Sequence, residues 1–175
     1  MDATKLLEKQ HRKVKAIFKK LERGRSEASE LVEQLANDLA AHMTIEHEIF
    51  YPAVQAVDRD LISESFEEHA LAEVSLKRLL ATDPEADEFK ARVTALKELI
   101  EHHVEEEESE LFPKVKKALG DERLSKLGKE MKVRFEEVVE GGYEAAVPRG
   151  FARTAADSSR KNMKKYAAQQ RRKAA

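Results

Sequence analysis

Apolar residues recur along this chain at alternating steps of four and three, the spacing that lines one side of a helix. A first run, Leu7, Val14, Phe18 and Leu21, predicts a helix from about Ala3 to Arg23, ended near Gly24. A second, Ala28, Val32, Leu35, Leu39, Ile49 and Ala53, predicts a helix that starts near Ser26 or Ser29, either a suitable N-cap. Pro52 should kink or close it within a turn or so. A third follows Asp58-Arg-Asp60, with Ile62, Phe66, Leu76 and Leu80 on its seam. Asp83-Pro84 reads as the N-cap and first residue of a fourth helix, whose seam is Phe89, Val93, Leu96 and Ile100 and which reaches about Leu119. Gly120-Asp121 breaks the chain, and a shorter fifth helix is expected from about Glu122 to Val139, packed on the others or making a dimer contact.

Polar groups interrupt each of the first four seams without breaking the count. They are His11 in the first, His42 and Glu46 in the second, His69 and Glu73 in the third, and His103 and Glu107 in the fourth. A histidine and an acid four residues apart lie one above the other on one helix face. The pattern also repeats. The stretch from His11 to Leu21 resembles that from His69 to Leu79, offset by 58, and His42-xxx-Glu46…Pro52 matches His103-xxx-Glu107…Pro113, offset by 61. The fold class expected is all-α: two helical hairpins in tandem, closing an up-down-up-down four-helix bundle, with an extra C-terminal helix.

Composition sharpens this. With 38% charged residues, 6 Gly and 4 Pro in 175 residues, long helices are favoured over sheet. The absence of cysteine excludes disulfides, iron–sulfur clusters and thiolate zinc sites. No apolar run approaches a membrane span and the N-terminus does not read as a secretory signal, so a soluble, cytoplasmic protein is expected. Residues 141–175 hold nine Lys/Arg against Glu144 and Asp157, so the acid excess lies in the rest of the chain. The organisation expected is a bundle with its fifth helix over 1–140 and a basic, partly disordered extension over 141–175. Contact of that tail with nucleic acid or another anionic partner is the weaker expectation, because its basic residues lack interleaved aromatics.

Seven polar groups facing one another without a partner would cost several kcal/mol. A bound cation resolves the conflict, and imidazole with carboxylate suits iron, manganese or zinc. Four histidines and two glutamates are too many for one ion, whereas two ions can share Glu46 and Glu107 as bridges. Bridging oxo or hydroxo and Glu73 would then leave at least one position open, the mark of a reactive site. His102 points about 100° away from the seam and takes no ligand role. His47 is similarly rotated; support of a ligand from behind is one reading, and a solvated face or bundle edge is the one expected. Phe18, Ile49, Phe66, Leu76 and Ile100 would form a dry shell around the site.

Over about residues 1–118 the chain resembles the hemerythrin-like (HHE cation-binding) family. The resemblance is carried by His11, His42-Met-Thr-Ile-Glu46 with Phe50-Tyr-Pro52, His69, and His103-Val-Glu-Glu-Glu107 with Leu111-Phe-Pro113. It implies two non-haem iron ions with Glu46 and Glu107 as bridges. A ferritin-like site needs two Glu-x-x-His pairs, and only Glu8-Lys-Gln-His11 is present. Oxygen-carrying hemerythrins have His-xxx-His in the third helix, where this chain has His69-xxx-Glu73. An anionic ligand there favours the ferric state, so redox work on O2, peroxide or nitric oxide, catalase- or peroxidase-like and tied to oxidative stress, is expected over reversible O2 carriage. The alternatives are a module that senses oxygen, iron or redox state, and one that holds iron without turnover.

Overall fold

Asp2 opens the chain's first helix. Its carboxylate accepts the backbone N–H of Lys5 at 3.0 Å, which caps α1, Ala3–Arg23. This computed structural model describes residues 1–24 and 26–143. The expected basic extension lies, from residue 144 onward, outside the described residues. Helix α2, Ala28–Ile45, begins after Glu27 without a side-chain cap, so neither Ser26 nor Ser29 serves as one. Helix α3 is the short Tyr51–Val54. Helix α4, Arg59–Leu80, is capped by Asp58, which accepts from the Leu61 N–H at 3.1 Å. Helix α5, Glu88–Glu106, starts four residues later than Asp83-Pro84 led us to expect. Asp83 instead accepts from the Glu85 N–H at 2.9 Å, and its carbonyl accepts from Ala86, closing a turn ahead of the helix. Helix α6 is Phe112–Gly141, interrupted at Gly120, whose φ of 73° lies in the left-handed region.

The helix carrying Pro52 closes at Val54, within a turn as expected, whereas the chain stays helical well past Pro113. Ahead of each, the backbone makes one wide π turn, over Glu46–Phe50 and over Glu107–Leu111. The Tyr51 N–H bonds to the Glu46 carbonyl, and the Phe112 N–H to the Glu107 carbonyl, five residues back rather than four. A proline supplies no N–H and its ring crowds the carbonyl four residues earlier; a widened turn accommodates both. The extra residue shifts the seam by one. Phe50 and Val54 are fully buried, whereas Ile49 and Ala53, on the expected seam, are only half-buried.

Helix α4 departs from its expected seam as well. Its buried positions are Ile62, Ser65, His69, Ala72, Leu76 and Leu79. Phe66 is left 39% exposed, and Leu80 is half-buried.

The bundle core is two apolar clusters with a polar layer between them. One holds Val14, Phe18, Leu35, Leu39, Leu76 and Ile100 among others. The second holds Leu7, Ile45, Phe50, Tyr51, Ile62, Leu111 and Phe112 among others. Along every bundle helix the chain passes from one cluster to the other through a buried histidine: His11, His42, His69 or His103. Beyond Gly120, α6 returns along the bundle, with Leu124 and Met131 entering the second cluster. Arg134 Nε donates to Glu48 Oε2 at 2.7 Å, and the Tyr143 N–H donates to Asn37 at 2.7 Å. At Gly128 the helix lies against the N-terminal backbone; a Cβ there would stand 2.4 Å from the Met1 carbonyl oxygen. No helix among the described residues is long and apolar enough to cross a membrane.

Candidate metal centre

Four helices each deliver an imidazole to the polar layer, and each π turn starts at a glutamate that enters it. His11, His42, His69 and His103 are each 4% exposed or less, and Glu46 and Glu107 are as deeply buried. Their inward atoms converge. His42 Nε2 lies 3.2 Å and His69 Nε2 3.4 Å from Glu46 Oε2. His11 Nε2 lies 3.4 Å and His103 Nε2 3.7 Å from Glu107 Oε2. His69 Nε2 and His103 Nε2 are 2.9 Å apart. Two overlapping groups emerge, each tight enough to hold one cation. The first is His11, His42, Glu46 and Glu107, and the second is Glu46, His69 and His103.

The outward side of every ring is fixed. His11 Nδ1 meets Glu108 Oε1, His42 Nδ1 meets Gln10 Oε1, His69 Nδ1 meets His47 Nε2, and His103 Nδ1 meets Glu68 Oε2, all at 2.8 Å. Carboxylate and amide oxygens only accept, so a neutral imidazole bonded to one donates from Nδ1 and turns the Nε2 lone pair inward. These four partners obey the internal repeat. Gln10 and Glu68, each one residue before a lone histidine, are related by the offset of 58. His47 and Glu108, each one residue after a glutamate, are related by the offset of 61. The solvated position expected for His47 is therefore corrected: it is half-buried, bonded to His69, and tilted against Phe66 with ring centroids 4.5 Å apart.

Much of the inward side is unmet. His11 Nε2, both oxygens of Glu46 and Glu107 Oε2 are buried and lack a hydrogen-bond partner. Leaving such atoms orphaned is costly. Burial, reinforced by the Glu107 charge, pushes the Glu46 carboxyl well above the usual carboxylate range. For Glu107 burial pulls the same way, but His103, His11 and Tyr51 outweigh it and hold the group low. Burial drives His42 and His69 well below the ordinary histidine value, with neighbouring imidazoles adding to the effect. These residues fit a cation: imidazoles and carboxylates, sulfur-free, aimed at a common space.

Tyr51 was not singled out as a site residue by the sequence. Its hydroxyl donates to Glu107 Oε1 at 3.1 Å. Burial, then the charges of Glu107 and Glu46, raise its pKa well above the ordinary phenol value. The repeat equivalent of Tyr51 is Phe112, so only one side of the layer carries this hydroxyl. Glu73 is not brought into either group. The α4 seam steps from His69 to Ala72, which rotates Glu73 outward, and its Oε1 pairs with Lys77 Nζ at 2.5 Å. On the other side of the layer is a cavity of about 10 Å3, lined by the four histidines with Val14, Leu39, Met43, Ile100 and Val104. That is room for about one water-sized molecule.

Comparison with known proteins agrees with this geometry. The family described as hemerythrin HHE cation binding domain matches residues 2–115. A DNA nickase of Nostoc sp. is 30% identical over 135 residues, 75% of this chain; the chain spans 38% of that protein's length. An uncharacterised protein of Mycobacterium tuberculosis is 25% identical over 142 residues, 79% of this chain and 88% of its own. A crystal structure of a hemerythrin HHE cation binding domain-containing protein from Mycobacterium kansasii superposes with a TM-score of 0.72 at 26% identity, covering 81% of this chain and 89% of that one.

Proposed function

The chain belongs to the hemerythrin HHE cation-binding domain family, and from that membership we propose that it is a non-haem di-iron protein. It binds or reacts with a small oxidant, O2, peroxide or nitric oxide, with peroxide or nitric oxide handling foremost. His11 and His42 would serve one ion, His69 and His103 the other, and Glu46 and Glu107 would be shared. The observation that carries this reading is the contrast across the polar layer. Every Nδ1 is held at 2.8 Å by its own partner, while four inward atoms are buried and unpaired. Two overlapping donor groups favour two ions over one, and nitrogen with oxygen donors suits iron.

Iron held there would supply electron transfer to or from the oxidant. The rest is the work of the chain's own groups. Val14, Leu39, Met43, Ile100 and Val104 keep bulk water from the histidines and admit only a molecule of a few atoms. Tyr51 holds a proton against Glu107, and its raised pKa keeps it there at neutral pH. The four Nδ1 partners fix ring orientation, as hydrogen-bond partners behind ligand imidazoles do in general.

The experiment is metal analysis and a visible spectrum of full-length protein expressed with ample iron, before and after addition of peroxide or nitric oxide. About two irons per chain and a spectrum that changes with consumption of the oxidant are expected. A spectrum that changes reversibly without consumption would move the function to sensing or holding. Folded protein that is colourless and metal-free would overturn the proposal.

A further inference from the structure

Helix α5 carries the His-xxx-Glu spacing twice. His103 and Glu107 face the polar layer; His102 and Glu106, one residue earlier, are turned about 100° from them, toward solvent. Glu68 of α4 stands opposite. We propose that Glu68, His102 and Glu106 form a second, solvent-facing site for a divalent first-row cation such as Zn2+ or Fe2+, joined to the buried layer through Glu68.

The spacing is that of ligands around an ion. His102 Nε2 lies 3.4 Å from Glu68 Oε1 and 3.6 Å from Glu106 Oε1. Ordinary N–H···O bonds span about 2.7–3.2 Å. Two ligands bound at about 2.1 Å to one tetrahedral ion stand about 3.4 Å apart. All three ligand atoms lie within 4.8 Å of one another. His102 and Glu106 share a helix face at i and i+4, which fixes their relation, and one imidazole with two carboxylates is a borderline donor set. Their side chains are graded in exposure: 14% for Glu68, 24% for Glu106 and 63% for His102. The carboxylates are thus largely shielded while the imidazole stays in reach of solvent.

Glu68 is held before any ion arrives. Its Oε2 accepts from His103 Nδ1 at 2.8 Å, which leaves Oε1 toward His102. The internal repeat supplies a control for this charge. Gln10, the equivalent of Glu68, supports His42 at the same 2.8 Å with a neutral amide. A carboxylate is therefore not required to hold the imidazole. The equivalents of His102 and Glu106 in the first hairpin are Ala41 and Ile45, both fully buried, and α6 packs on that side. The second hairpin alone combines an uncovered face with a carboxylate–imidazole–carboxylate set.

The test is titration of Zn2+ into full-length, iron-loaded protein, with zinc and iron counted in the same dialysed samples. About one Zn2+ per chain beyond the iron is expected, with iron content unchanged. The double variant His102→Ala, Glu106→Gln is expected to bind that Zn2+ at least about tenfold more weakly, with the same iron content and helicity. A wild-type protein that takes up no additional Zn2+, or a double variant that binds it equally well, overturns the proposal. The double variant separates this site from the buried layer: zinc taken up by an unfilled layer would be the same in both proteins.

Discussion

Glu46 is the most exposed of the buried groups to the consequences of losing a cation, because neither of its oxygens has another partner. In the metal-free chain its folded-state pKa is raised above the ordinary 4.5. Its contribution to stability is then full below 4.5 and is lost as pH rises toward the raised value. Glu46→Gln keeps the shape and removes the ionisation. Metal-free Glu46→Gln is expected to exceed metal-free wild type in stability near neutral pH by on the order of 1–3 kcal/mol. The gap should close as pH falls toward 4.5. Thermal unfolding of both proteins across that range checks this, and iron-loaded samples should show the opposite order. Tyr51 offers a milder change. Phe112 occupies the equivalent place without a hydroxyl, so Tyr51→Phe should fold, cost about 1 kcal/mol and keep its iron while the visible spectrum shifts. An unchanged spectrum would mean that the bond to Glu107 has no influence on the site.

At the scale of elements, the two π turns decide where the aromatic residues go. Inserting one alanine after Ile49 would lengthen this turn again and rotate everything after it by about 100°. Phe50 and Tyr51 would leave the core, the hydroxyl would leave Glu107, and a loss of roughly 3–5 kcal/mol is expected, read from the unfolding midpoint together with iron content. The turns also mark the limit of what the sequence could tell. The four-three count placed α1 at Ala3–Arg23 and set all four histidines on core-facing positions. It failed where the backbone changes period: continuing the count through Glu46 selected Ile49 and Ala53 over Phe50 and Val54. On α4 it chose Phe66, Glu73 and Leu80 in place of Ser65, Ala72 and Leu79, because periodicity alone cannot choose between adjacent stripes when one of them is small and polar. The partners of the Nδ1 atoms were present as a signal, one residue before each lone histidine and one after each glutamate. Their chemistry is not conserved between halves, Gln against Glu and His against Glu, so the repeat concealed them.

For the molecule as a whole, the return of α6 includes one contact with no room to spare. Gly128 meets Met1, Asp2 and Ala3 at distances no Cβ can occupy. Gly128→Ala is expected to lift this segment and cost about 1–3 kcal/mol, with faster cleavage between Gly120 and Gly141 under limited proteolysis; unchanged cleavage would show that the packing tolerates a methyl. The expected Glu122–Val139 helix thus has its place on the bundle, sharing Leu124 and Met131 with the second apolar cluster. The storey of imidazoles and acids that divides the core is the other whole-molecule feature. Neither greasy half is continuous with the other, so cohesion along the long axis rests on what fills the middle. With cations seated there, the layer acts as a keystone; stripped of them, it becomes the plane along which the halves part. The half-life of this polypeptide in a cell would then follow the supply of metal, and scarcity would be registered as disappearance of the protein before any change in its chemistry.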